Sequence, residues 1–169
     1  MQFNGLLLTL PKELKYLIGV FLLVLSLGFY SGISMVNMTS SMSPQGIEEN
    51  YIGNETDENA IDMKFQKSEQ QVIGIIHSHI LSMSMLFFLL GVIMFTTQLH
   101  RKLKMALIIE PFLSIILTFG GIYMLWKGFS WFKYIVILSG ILMVLTYTIS
   151  IIIIYYQLLF SKTLLKSKD

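Results

Sequence analysis

Residues 72–97 read VIGIIHSHILSMSMLFFLLGVIMFTT. The stretch contains no Asp, Glu, Lys or Arg, and His77 and His79 are the only side chains in it that titrate near neutral pH. An uncharged apolar run of ~20 residues is long enough to cross about 30 Å of hydrocarbon as an α-helix. Working outward, three further segments are long and predominantly apolar: about Tyr16–Val36, about Met105–Trp126 and about Trp131–Phe160. Backbone amides and carbonyls find no partners in lipid, so each span is expected to be helical. The β-branched run Ile151–Ile154 would favour a strand in water. The apolar segment around it is far too long for a strand, so a helix is expected there as well.

Composition points the same way. The chain has 169 residues, 54% hydrophobic and only 13% charged, with a mean hydropathy of +0.70. Soluble domains carry about 25% charged residues, and here the charges are missing from whole blocks. There is no cysteine, which excludes disulfides, Cys-type zinc sites and covalent c-type haem attachment. A net charge of +2 argues against a nucleic-acid partner and leaves the lipid bilayer as the implied surrounding. The expected fold is all-α and integral to the membrane: a single up-down-up-down bundle of four transmembrane helices, with one long loop, residues 37–70, between the first two. The first span is expected to be retained, because Ser31-Gly32-Ile33 is a poor match to a signal-peptide cleavage site. The short apolar segment Gly5–Leu10 cannot span and is expected to lie on the membrane surface.

Lysine and arginine in short flanks favour the cytoplasmic side. Lys12, Lys15, Arg101, Lys102, Lys104, Lys162, Lys166 and Lys168 fall on one side of the four spans. Lys64, Lys67, Lys127 and Lys133 fall on the other, together with Glu48, Glu49, Glu55, Asp57, Glu58, Asp62 and Glu69. Both termini are therefore expected to be cytoplasmic and loop 37–70 external. A single arginine in a lysine- and isoleucine-rich chain leans toward a bacterial inner membrane. Tyr16, Tyr123, Trp126, Trp131 and Tyr134 fall near span ends, as an interfacial aromatic belt does.

Within loop 37–70, Ser43-Pro44-Gln45-Gly46 and Ile52-Gly53-Asn54 read as turns. Tyr51, Ile52, Met63 and Phe65 are available to anchor it over the bundle mouth, either as a plain connector or as a lid.

Ionisable groups inside spans are candidate sites. His77 and His79 lie about 8–11 Å along the helix from Val72, just below the outer interface. Two residues apart on a helix, they point about 200° from each other and cannot act as a bidentate pair. His77 shares a stripe with Ser84, Phe88, Gly91 and Phe95 and is expected to face inward. An imidazole here suits a haem b axial ligand, a metal ligand or a quinone hydrogen-bond partner. The plainer alternative is an interfacial pair bonding loop carbonyls. This stretch is similar to the His-x-His span starts of several haem- and copper-associated membrane families, a likeness confined to residues 75–90.

Glu110, followed by Pro111, lies about 8 Å inside the cytoplasmic end of the third span. A charge at mid-span costs ~2.5–3.5 kcal/mol, and less near an end. It is a candidate proton or ion site, with Arg101, Lys102 or Lys104 as partner. Alternatively the helix simply begins at Glu110, since Pro and carboxylates suit a first turn. Ser114, Thr118 and Gly121 recur on one face and read as a helix-packing seam.

No phosphate-binding, dinucleotide, zincin or nucleophile-elbow motif is present, so hydrolase and nucleotide chemistry are not indicated. The expected role is a non-catalytic subunit or assembly component of a larger membrane complex, or of a homo-oligomer. The alternatives are a redox, metal, haem or quinone protein using His77 or His79, and a channel or transporter subunit using Glu110.

Overall fold

A computed structural model describes residues 3–55 and 63–160. Its helices are α1 (Leu6–Thr9), α2 (Lys12–Ser40), α3 (Pro44–Ile52), α4 (Glu69–Phe95), α5 (Arg101–Trp126) and α6 (Phe132–Leu159). There is no strand among the described residues. Four helices, α2, α4, α5 and α6, are long and apolar enough to cross a membrane, and they run alternately up and down.

The spans pack unequally, and side-chain size explains why. The α5–α6 seam is the most extensive, followed by α4–α5. Small residues bring α5 and α6 together: a Cβ on Gly121 would sit 2.9 Å from Val136 Cγ2. Thr118 Oγ1 donates to Ser139 Oγ at 2.7 Å, because the Ser139 hydroxyl hydrogen is already given to the Ile135 carbonyl. The expected small and hydroxylated face of the third span is thus the contact with α6. On the other side α2 is held off by rings. Phe29 of α2, Phe87 of α4 and Tyr147 of α6 meet at the bundle centre, with Phe29 stacked on Tyr147 at 3.8 Å between centroids.

Several boundaries differ from the sequence reading. Residues 37–40 complete α2, Glu69 and Gln70 open α4, and Pro44–Ile52 is a helix, so much of the expected loop is regular structure. Ser43-Pro44-Gln45-Gly46 is a helix start instead of a turn: the Ser43 hydroxyl accepts from Gly46 N at 2.9 Å, and Pro44 takes the first helical position. Gly46 must be glycine, since a Cβ there would lie 2.0 Å from the Ser40 carbonyl oxygen. Gly53 ends α3 with φ +90°, as the turn reading implied. Of the four proposed anchors, Tyr51 and Ile52 pack on the core, whereas Met63 and Phe65 are exposed.

The N-terminal segment is also corrected. Instead of lying on a membrane surface, α1 plugs the end of the bundle opposite α3, with Leu7 and Leu8 buried. Leu7 N donates to the Thr96 carbonyl at 3.0 Å, and Lys15 Nζ donates to the Leu8 carbonyl at 2.8 Å. Beside it, Gln157 of α6 makes a reciprocal amide pair with the backbone of Gln98, at 2.7 and 2.9 Å.

Candidate functional site

The capping box of Ser68 and Gln71 sets the start of α4 and so the heading of its side chains. His77 and His79 diverge. The His79 ring tilts against Phe119 of α5, with centroids 5.3 Å apart, and its Nδ1 lies 2.8 Å from the Ile75 carbonyl oxygen. A carbonyl can only accept, so Nδ1 carries the hydrogen, and in the neutral imidazole Nε2 keeps its lone pair. The Ser78 hydroxyl donates to the same carbonyl at 3.0 Å.

His77 turns the other way. It lines a shallow surface groove with Glu69, Gln70, Ile73 and Gly74, and it makes no hydrogen bond to a described residue. The expectation that His77 faces inward is reversed: His79 meets α5. The reason is that α4 turns the stripe of Phe87, Leu90 and Met94 into the bundle, where Phe87 meets Phe29 and Tyr147, and leaves Phe88 and Phe95 of the expected stripe exposed. Both histidines keep exposed edges at the protein surface.

Glu110 sits in the third turn of a continuous α5, not at its start; Pro111 is accommodated inside the helix. The Ser114 hydroxyl, one turn on, donates to Glu110 Oε1, while Oε2 is buried without a hydrogen-bond partner. None of the expected basic partners pairs with it. Lys104 is instead committed to the helix ends nearby: its Nζ donates to Asn4 Oδ1 at 2.7 Å, to the Phe95 carbonyl at 3.1 Å and to the Thr97 carbonyl at 2.5 Å. It satisfies the free carbonyls at the C-terminus of α4.

Among the described residues no group of three His, Asp or Glu side chains is arranged to hold a metal ion. The polar end at α3 is cross-linked by ion pairs and hydrogen bonds. Lys133 Nζ meets Glu48 Oε2 at 2.5 Å, Lys127 Nζ meets Glu69 Oε1 at 3.3 Å, and Trp126 Nε1 donates to the Lys67 carbonyl at 2.8 Å. The Lys133 hydrogen bond holds the Glu48 carboxyl below the usual carboxylate range, and one from Ser130 adds to it. Neither Lys104 nor the Glu48–Lys133 pair was foreseen. Each charge was legible as a charge, but Glu48 and Asn4 are remote in sequence from their lysines, and the Phe95 and Thr97 carbonyls are presented to Lys104 only by the turn that ends α4.

A family model of a transmembrane helical domain matches residues 41–165. The match begins just past the end of α2 and includes α3, α4, α5 and α6. No curated protein and no solved structure matches the chain.

Proposed function

The chain belongs to the Aq_1264_TM family of transmembrane helical domains, and from that premise we propose that it is a non-catalytic subunit or assembly component of a larger membrane complex. The observation that carries this reading is the outward face of α4 near its α3 end. Gln70, Gly74, His77 and Ser78 lie exposed along it, and nothing stands within 4 Å of where a Gly74 Cβ would be. Between helices in lipid the hydrophobic effect provides no drive, and close contact comes from small residues with polar groups beside them. A face with these properties, lined by an unpaired imidazole and a glutamine amide, is better covered by another helix than by acyl chains.

The lysine distribution supports an orientation with α1 on the cytoplasmic side and α3 outside, and the lysine- and isoleucine-rich composition with a single arginine leans toward a bacterial inner membrane. A photo-crosslinker placed at Gly74 in cells tests the docking reading. A single discrete cross-linked membrane protein is expected, and Gly74→Leu is expected to abolish its co-purification. Cross-links to lipid alone, with a monomer in mild detergent, would remove the reading.

A further inference from the structure

We infer that His79, not His77, is a hydrogen-bond acceptor site for a hydroxyl-bearing membrane amphiphile, such as a quinol or a glycerolipid, bound at the α4–α5 seam. The inference goes beyond a docking role and stands on a different face of α4.

Three features of His79 carry it. The first is its tautomer. Donation from Nδ1 to the Ile75 carbonyl at 2.8 Å leaves Nε2 of the neutral imidazole as an acceptor. Fixing one imidazole nitrogen through a backbone carbonyl is how proteins commit the other to a ligand. The second is orientation. The ring rests against Phe119, which is itself buried, so one side of the imidazole is covered while the rest is exposed. His77 has neither constraint. The third is placement. His79 lies about 15 Å along α4 from Glu69, within the span, yet its ring keeps an exposed edge. No described residue donates to Nε2. An exposed imidazole acceptor just below the outer interface is within reach of the hydroxyl groups of membrane amphiphiles. A metal ion is the poorer fit, because no second and third His, Asp or Glu side chains stand with it among the described residues.

The test is nitrogen NMR on the full chain, with labelled histidine, in phosphatidylcholine nanodiscs. His77→Ala and His100→Ala assign the resonances. In lipid without additive, His79 is expected to show only the tautomer protonated at Nδ1, and its Nε2 resonance is expected at the position of a free lone pair. Adding a decyl-substituted hydroquinone, or dioleoylglycerol in a separate arm, is expected to move Nε2 to lower frequency. The arm that responds identifies the source of the hydroxyl. The dimethyl ether of the hydroquinone is expected to have no effect. A tautomer protonated at Nε2, no response to either hydroxyl compound, or an equal response to the ether or at His77 would each overturn the assignment. These outcomes are independent of cross-linking at Gly74, so the two readings fail separately.

Discussion

The hydroxyl of Tyr147 on α6 lies 3.0 Å from the hydroxyl of Ser26 on α2. Ser26 gives its own hydrogen to the Leu22 carbonyl at 2.7 Å, so Tyr147 is the donor. Together with Tyr30, which donates to Thr148 Oγ1 at 2.8 Å, this ties the loosely packed α2 to the rest of the bundle. Interhelical hydrogen bonds in membranes average about 0.6 kcal/mol. Tyr147→Phe is therefore expected to cost about that much in reversible unfolding in mixed micelles. Tyr147→Ala also opens a cavity beside Phe29 and Phe87 and is expected to cost about 3–5 kcal/mol. Equal losses for the two variants would contradict a ring-centred core.

Lys104 is the buried keystone of the α1 end. Replacing it with Met keeps the stem's packing but strips its donors from the Thr97 and Phe95 carbonyls and from Asn4. The Thr97 carbonyl and Asn4 keep weaker donors in the Gly5 and Leu99 amides, both at 3.3 Å, but the Phe95 carbonyl loses the lysine, and an acceptor left unpaired costs about 1–3 kcal/mol. Faster hydrogen exchange is expected at the amides of Gly5 and Leu7, which bond the carbonyls of Thr97 and Thr96, while exchange in α3 stays unchanged.

Two glycines make a matched pair. A methyl at Gly46 collides with the Ser40 backbone, whereas one at Gly28 meets nothing within 4 Å. Gly46→Ala is expected to destabilise by about 1–3 kcal/mol or to unseat α3, read as new proteolytic cleavage between residues 41 and 68. Gly28→Ala is expected within about 0.5 kcal/mol of the parent.

The Glu48–Lys133 contact sets a pH dependence. A carboxyl whose folded value is lowered contributes stability above its unfolded value and loses it as the pH falls through the folded one. The docking of α3 is therefore expected to hold at neutral pH and to weaken progressively below the ordinary Glu value of 4.5. Protease resistance of α3 against pH measures this, and Glu48→Gln is expected to flatten the profile. Loosening that instead sets in on raising the pH from about 5 to about 8 would contradict the pairing.

Glu110 has an unpartnered buried oxygen. A carboxyl that ionises inside a span is costlier to hold there than a neutral amide, so Glu110→Gln is expected to leave thermal stability unchanged or raised. Ser114→Ala, which removes the donor to Oε1, is expected to lower it by about 1 kcal/mol. Loss of stability in the glutamine variant would show that the carboxylate has an essential partner outside the chain.

Secondary structure and its membrane setting were determined by the sequence alone, because hydrocarbon leaves a long apolar segment one way to satisfy its backbone. The apolar blocks at residues 72–97 and 131–160, the second with Lys133 as its one charge near the start, read as spanning helices, and both fall in helices long and apolar enough to cross a membrane. The divergence of His77 and His79 was also legible, since helical pitch requires it. Tertiary structure decided which histidine meets a neighbour. Each helix face offered some apolar or small residues, and only the joint packing of Phe29, Phe87 and Tyr147 selected the buried one. The same holds for the helix inside loop 37–70, for α1 as a plug, and for Lys104 in place of a Glu110 partner. Each depends on carbonyls and cavities contributed by segments far away in the chain, and those exist only once the spans have packed.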